Sequence, residues 1–531
     1  MADSTSTPDD ESTAERAEFP LDVVDGQRIV GLSPVDGQPL EVVTATSVGE
    51  IAGQIERARK AQIDWSARPI DERCEALLAL RDAVLAKGDE LVATLCKEGG
   101  KVEAEAWLAD VLPTADVVEY WAYEGRHELL ARDLELDPLS YPGKRGRTER
   151  VPRGVIGVIS PWNLPVALPL RTIVPALLAG NAIVWKPSEH AARVSALLGA
   201  AIAATVPRDL VVLVQGGAAQ GEAVVRGCDA IAFTGSVATG RKVAAMAAER
   251  LVPCGVELGG KDAAIVLEDA DLDRAAEGIA WGAFFNAGQN CASIERVYVV
   301  EKVASQLTEK LVAVTKTLRP GKDVGALCTR RQRETVRKHV DGAVASGAEA
   351  LPADAASGRG LFYPPRVLTR VPEDADVLRD ETFGPVVPIV VVKDEAEAVR
   401  RANDSRYGLT ASVWTKKLAR GEAVAAKLEA GVVAINNHGF TGAVPAAPWS
   451  GVRESGYGVT NSPFALDLLT RPRFLLVDAR RAKREMWWYP YTDGLVRVAR
   501  AMATLRRRSG IVRKVRAFFS LLGGFVTRWK R

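Results

Sequence analysis

Six short segments of this 531-residue chain hold side chains that could do chemistry, and most of them follow a short apolar run. Phe284-Phe285-Asn286-Ala287-Gly288-Gln289-Asn290-Cys291-Ala292-Ser293 sets one cysteine in a polar loop. Its setting reads as near a helix N-terminus, where a thiolate is stabilised and exposed, so Cys291 is a candidate nucleophile. A lone cysteine is equally at home as a small buried hydrophobe. In Val256-Glu257-Leu258-Gly259-Gly260-Lys261, a carboxylate stands among apolar residues beside a glycine pair. Burial there raises its pKa and suits a general base, although a salt-bridged glutamate at a strand edge has the same pattern. The prolines of Ser160-Pro161-Trp162-Asn163-Leu164-Pro165 deny helix to the residues before them. The Asn163 amide is then either a donor to a developing oxyanion or a turn residue.

The other three segments suit a dinucleotide. In Trp185-Lys186-Pro187-Ser188-Glu189, the lysine matches ribose hydroxyls or phosphate and the glutamate a ribose 2′-OH. A carboxylate there repels a 2′-phosphate and so favours NAD over NADP; the same residues also fit a plain strand end. Phe233-Thr234-Gly235-Ser236-Val237-Ala238-Thr239-Gly240 runs from a strand into a helix, leaving free N–H groups for pyrophosphate. It is neither GxGxxG nor a P-loop, and a Gly-Ser helix cap looks alike. Asp380-Glu381-Thr382-Phe383-Gly384-Pro385 offers a carboxylate for a second ribose and a ring to stack, or only an acidic turn.

Buried strands alternating with helices would position these segments. Helical spacing appears over 48–66 and 71–98, for example Leu77, Leu78, Leu80, Val84 and Leu85. From about residue 153, strand-like Val155–Ile159, Ala182–Trp185, Val211–Val214, Ala230–Phe233 and Ala263–Leu267 alternate with helices such as 191–205 and 238–250. A second block follows, with Val297–Val300, Val386–Val392 and Val432–Ile435 between helices near 302–317, 331–346 and 395–404. This is the pattern of two α/β domains with doubly wound parallel sheets. Residues 132–150 are polar and proline-bearing, which suits a hairpin or excursion.

The composition, 47% hydrophobic and 26% charged, excludes a wholly disordered, collagen-like or polytopic membrane chain. The net charge of +2 hides an asymmetry. Residues 480–531 carry 15 Lys/Arg against 2 Asp/Glu, or +13, so the other 54 basic and 65 acidic residues sum to −11. Six cysteines without a CxxC pair read as thiols of a reducing cytoplasm. Four scattered histidines lack metal-ligand spacing, and no metal is expected. Residues 1–18 are acidic, Ser/Thr-rich and read as a solvated disordered arm without a signal peptide.

Taken together in chain order, the six segments resemble the aldehyde dehydrogenase superfamily, from about residue 20 to 478. Pro448-Trp449-Ser450-Gly451-Val452-Arg453-Glu454-Ser455-Gly456-Tyr457-Gly458 is similar to the family's late SGxG segment. The resemblance implies an α/β fold: a Rossmann-like NAD-binding domain (19–131 and 152–256), an α/β catalytic domain (257–459) and a small β oligomerisation element (132–151 and 460–479), here followed by a basic tail (480–531). It assigns Cys291 as nucleophile, Glu257 as general base and Asn163 as oxyanion donor. Lys186 and Glu189 would hold the adenosine ribose, Gly235 and Ser236 the pyrophosphate, and Glu381 with Phe383 the nicotinamide ribose. Ser160, Pro161, Trp162, Ser188, Phe233 and Leu258 complete the cofactor contacts. The implied reaction adds the Cys291 thiolate to an aldehyde, passes hydride to nicotinamide and hydrolyses the thioester with water activated by Glu257. The family's CoA-acylating branch typically lacks a glutamate at this base position, so Glu257 favours release of the free acid.

The expected cofactor is NAD rather than NADP, and the expected assembly a homodimer or tetramer. Within the tail, Leu495, Val498, Met502 and Leu505 share one helical stripe, and Ala517-Phe518-Phe519-Ser520-Leu521-Leu522-Gly523-Gly524-Phe525-Val526 is too short to span a bilayer. Basic faces with aromatic clusters suit a peripheral anchor on anionic lipid, hence a lipid-derived, long-chain aldehyde substrate at a cytoplasmic membrane face. A tail packed on a neighbouring subunit's acidic body is the other reading; nucleic acid is not the expected partner, since no recognition fold accompanies the basic run. Arg171 instead suits a substrate carboxylate, as in semialdehyde dehydrogenases, and Leu164, Trp281 and Phe285 could line an apolar tunnel. An inactive scaffold displaying its tail is the non-enzyme alternative.

Overall fold

The apolar runs Val155–Ser160 and Ala182–Pro187 become strands in which every residue is buried. Helices Val48–Ala67, Ala167–Leu178 and Ala218–Gly227 pack against them. Cover on both faces is why such a strand reads as a continuous apolar run. In the computed structural model, which describes residues 23–25, 27–137, 140–354, 360–480, 484–508 and 510–529, these strands sit at the centre of a six-stranded sheet. The expected arm at 1–18 lies outside the described residues.

Val155–Ser160, Ala182–Pro187, Val211–Leu213, Ala230–Thr234 and Cys254–Glu257 run parallel, and Gly456–Tyr457 adds an antiparallel edge. Counted along the chain, the five parallel strands stand in the order third, second, first, fourth, fifth. The order reverses between Val155–Ser160 and Ala230–Thr234. Loops leaving the carboxyl ends of these two strands part in opposite directions and open a crevice, the usual ligand position of such sheets. A seven-stranded sheet follows, with order Glu349–Leu351, Arg366–Thr369, Val386–Val392, Ile294–Val300, Asp262–Val266, Thr410–Trp414, Val432–Ile435. All its pairs are parallel except that of the Glu349–Leu351 edge. The α/β architecture expected from strand–helix alternation is the one observed.

One expectation needs correction. The stripe over 71–98 is two helices, Ile70–Ala86 and Gly88–Gly99, separated at Lys87. The Trp107 ring lies so close that a Cβ at Gly88 would stand 2.2 Å from it. Periodicity continues across the break because both helices bury one face in the same core.

The chain divides into two compact units. The sheets above belong to the first, which gathers the described residues of Met1–Leu130 with Glu149–Arg473. The second gathers Ala131–Thr148 and Phe474–Arg531. Its strand Arg132–Leu134 pairs antiparallel with Lys144–Pro152, the hairpin expected there, and Thr470–Asp478 forms the other edge. The tail forms two helices packed on each other, Asp493–Arg506 and Ile511–Trp529. Thr492 caps the first, its hydroxyl accepting from the Leu495 N–H at 3.3 Å. Of the expected stripe, Leu495 and Val498 are buried and Met502 and Leu505 half-buried. Among the described residues no helix is long and apolar enough to cross a membrane.

Candidate active site

The crevice at the strand-order reversal is lined by segments that sequence reading singled out separately. The Ser160 hydroxyl accepts from Trp185 Nε1 at 2.8 Å, and the Ser188 N–H donates to the Ser160 carbonyl at 2.9 Å. These bonds tie Ser160-Pro161-Trp162 to Lys186-Pro187-Ser188-Glu189. The Lys186 ammonium pairs with Glu189 at 3.3 Å. Burial raises the Glu189 carboxyl, but Lys186 and further polar partners outweigh it and hold it below its ordinary value. An ionised carboxylate therefore stands at this strand end. Across the crevice, Ser236 caps helix Val237–Glu249 by accepting from the Thr239 N–H at 3.4 Å. Phe233 packs its ring against Gly235, where a Cβ would stand 2.8 Å from the ring. Leu258 packs on Gly240 in the same way, at 2.4 Å.

More distant residues converge here too. Phe383 meets Trp162 edge to face, with ring centroids 5.6 Å apart. Glu381 accepts from the Gly260 N–H at 3.2 Å, and it fills the space a Cβ on Gly259 would need, 2.2 Å from its Oε2. Burial pushes the Glu381 carboxyl up to about 8. Beneath it lies a support that the motifs do not disclose. Wholly buried Lys261 pairs with Glu295, and the Lys261 ammonium also donates to the Thr382 hydroxyl at 3.1 Å. Glu295 accepts from the Thr382 and Phe383 N–H groups at 2.7 and 2.8 Å. A buried pair with every charge hydrogen-bonded holds the Glu381–Phe383 loop.

The cysteine's setting differs from expectation. Cys291 does not stand at a helix N-terminus. It follows helix Leu272–Phe284 and the tight turn Phe285–Gly288, just before strand Ile294–Val300. The expected exposed thiolate is also corrected: Cys291 is half-buried, and burial first, then Glu257 and Asp262, push its thiol up to about 12. What the loop has is rigidity. Asn286 and Ala287 hold left-handed backbones, with φ of 53° and 54°. The Asn286 side chain accepts from Lys101 Nζ at 3.0 Å and donates to the carbonyls of Asn163 and Gln289 at 3.1 and 3.0 Å. The Asn163 amide donates to the Gln289 carbonyl at 3.2 Å, two residues before Cys291. Its second N–H is left for another acceptor. After the cysteine, buried His438 meets the Ala292 carbonyl at 2.6 Å; burial drives this imidazole down to about 4, so it is neutral.

Glu257 ends its strand paired with Gly456, while the Ser455 hydroxyl donates to the Gly259 carbonyl at 2.8 Å. The late SGxG segment thus fixes the carboxylate's backbone. Burial pushes Glu257 up to about 7 against the nearby Thr460 hydroxyl, which is not in a well-formed hydrogen bond, and the Arg171 charge. Arg171 is 8% exposed on helix Ala167–Leu178, and it acts electrostatically on both Glu257 and Cys291. Sequence reading assigned no role to Lys101, Lys261, Glu295 or His438; of these only Glu295, a charge at the head of the apolar run to Val300, carried a signal of a buried partner.

A cysteine on a braced loop and a carboxylate poised near neutrality thus meet beside the sheet's reversal point. The model of the aldehyde dehydrogenase family matches residues 23–475, and the chain belongs to that family. It is 36% identical over 478 residues to a Methylomonas sp protein named 4,4'-diapolycopene aldehyde oxidase, covering 87% of this chain and 88% of the relative. It is 37% identical over 448 residues to a Mycobacterium ulcerans protein provisionally named succinate-semialdehyde dehydrogenase, NADP(+), 2, covering 81% and 85%. The crystal structure of aldehyde dehydrogenase from Brucella melitensis biovar abortus 2308 superposes with a TM-score of 0.81 at 31% identity, covering 87% of this chain and 96% of that one. The chain is therefore an aldehyde-oxidising oxidoreductase of a family that uses NAD or NADP.

Proposed function

We propose that the chain oxidises an aldehyde to the free carboxylic acid with NAD, through a thiohemiacetal and then a thioester on Cys291. The observation that carries this reading is one site bringing together Cys291, the Asn163 amide and a Glu257 carboxyl raised to about 7. A thiol pushed up to about 12 must give up its proton as sulfur adds to the carbonyl carbon. Glu257, the charge acting most strongly on it and itself poised near 7, takes that proton and passes it to solvent before the second step. As the S–C bond forms, the carbonyl oxygen becomes an oxyanion, and the free Asn163 N–H with the Cys291 N–H stabilises it. The chemistry that a bound nicotinamide supplies is acceptance of the hydride. Lys186 and Glu189 would hold its adenosine ribose, Gly235 and Ser236 the pyrophosphate, and Glu381 with Phe383 the second ribose. The glycine at 259, where any Cβ would strike Glu381, fits a close approach of this kind. With the thioester formed, Glu257 takes a proton from water as its oxygen attacks the carbonyl carbon. The C–S bond breaks, and the acid leaves.

Glu189, ionised at the strand end, supports NAD over NADP by repelling a 2′-phosphate. The substrate reading is a lipid-derived, long-chain aldehyde taken up at a membrane face in the cytoplasm. The relative named 4,4'-diapolycopene aldehyde oxidase supports it, and so do Trp281 and Phe285, whose rings meet at 5.2 Å just before the cysteine loop, tilted by 39°. A second reading, a carboxylated semialdehyde, has its own observation. The buried Arg171 guanidinium has no carboxylate or carbonyl in hydrogen-bonding distance among the described residues. The edge strand Thr470–Asp478, which exposes Phe474, Leu475, Leu476 and Val477, supports a homodimer or tetramer. NADH formation across aldehydes of increasing chain length, with and without an ω-carboxylate, separates the two substrates. Cys291→Ser abolishes turnover while NAD still binds; retained turnover overturns the covalent reading, and an inactive parent leaves only a scaffold.

A further inference from the structure

The second tail helix, Ile511–Trp529, has two unlike faces. Ala517, Gly524 and Arg528 are buried on one. There the first tail helix approaches so closely that a Cβ on Gly524 would stand 2.8 Å from Val498. Arg528 donates to the carbonyls of Met486 and Trp488 at 3.0 and 2.7 Å, which ties the aromatic segment to this helix.

The opposite face carries Val512, Val515, Phe518, Phe519, Leu522 and Val526, each between 45% and 66% exposed. At a helical turn of about 100° per residue they fall within an arc of about 120°. Lys514 and Arg516 flank that arc on its two sides, about 40° beyond its edges. The packing of the two helices thus uses the small residues and leaves the large apolar ones in water, which folding alone gives no reason to do.

Charge selects the occupant. A second copy meeting this face in a symmetric contact would set Lys514 and Arg516 against like charges, in a segment with 15 basic and 2 acidic residues. An anionic bilayer offers apolar depth for the stripe and phosphates for both margins. With no described helix able to cross a membrane, the geometry is that of a helix lying on the surface.

We propose that helix Ile511–Trp529 lies flat in the headgroup region of an anionic phospholipid bilayer. Its Val512–Val526 face sits in the acyl boundary, and Lys514 and Arg516, on the two margins of that face, sit at the phosphates. This deepens the reading above by naming the surface at which an apolar aldehyde is met, and its test does not depend on turnover.

Full-length protein is floated with vesicles of phosphatidylglycerol and phosphatidylcholine, and with phosphatidylcholine alone. The expected result is flotation with the anionic vesicles only, reversed near 1 M salt, where the Debye length is about 3 Å. Val515→Glu with Phe519→Glu lowers the partition coefficient by at least about tenfold. Lys514→Ser and Arg516→Ser lower it by about fivefold each. All keep the parent's turnover of a short, soluble aldehyde. Equal flotation of V515E/F519E and the parent overturns the docking. So does a parent that stays with the protein fraction while V515E/F519E changes its mass by light scattering, which makes the occupant a second copy. Flotation without oxidation of long-chain aldehydes sinks the substrate reading alone; oxidation without flotation sinks the docking alone.

Discussion

Replacing Glu257 with glutamine keeps the shape and removes the proton acceptor. A positioned general base contributes about 10²–10⁴-fold, so steady-state kcat should fall by that order. Because Glu257 takes the thiol proton as well as the water proton, the first turnover of NADH should slow together with the steady state and show no burst. The pH profile is the sharper readout. The folded carboxyl sits near 7 rather than 4.5, because burial penalises its charge. The base is then present above about pH 7 and lost about tenfold per unit below it, giving kcat an acid limb that E257Q lacks. Stability should move the other way. A carboxyl whose folded pKa is raised costs the fold stability as pH rises above the unfolded value of 4.5, with the full cost reached above the folded value of about 7. Over this interval the cost is about 3 kcal/mol at pH 8, falling below about 1 kcal/mol near pH 5. For a chain of this size E257Q should therefore melt about 3 °C higher at pH 8 and nearly with the parent at pH 5. An E257Q enzyme within about threefold of parental kcat, or one that keeps the acid limb, would refute both the base and its burial.

Asn163→Ala should lower kcat by about 10²–10³-fold with little change in cofactor affinity, measured by fluorescence titration, because one oxyanion donor is lost. Glu189→Gln should shift the ratio of kcat/KM for NAD over NADP toward NADP by about tenfold or more, since the charge that repels a 2′-phosphate is gone; an unchanged ratio excludes that role. Lys261→Met leaves Glu295 buried and uncompensated, and should cost about 3–5 kcal/mol in denaturant melts. It should also raise KM for the cofactor, as the Glu381–Phe383 loop loses its anchor.

The strands were legible wherever burial on both faces writes a β-branched run, as in Val386–Val392, because that signal is local. The six chemical segments were legible for a related reason: each borders a buried strand, where glycine, proline and polar residues interrupt the apolar run. What brings them together was not. Lys261 and Glu295 are 34 residues apart, and Lys261 and Thr382 are 121 apart, so no window of sequence contains the pairing. Next to the break at Lys87, the room at Gly88 is set by a tryptophan nearly twenty residues on, and the left-handed Asn286 is held by Lys101 and Glu105 from another part of the chain.

Cys291 shows the division most clearly. Its place after Gly288-Gln289-Asn290 was visible in the sequence, but its proton affinity was not. A thiol's pKa depends on the charges and the water within a few ångströms, and these are supplied by Glu257, Asp262 and Arg171 from elsewhere in the chain. The tail divides in the same way. Its excess of positive charge is a sum over residues, which composition alone determines. Which side of its second helix faces water was decided by contact, because Gly524 can meet Val498 and a larger residue could not.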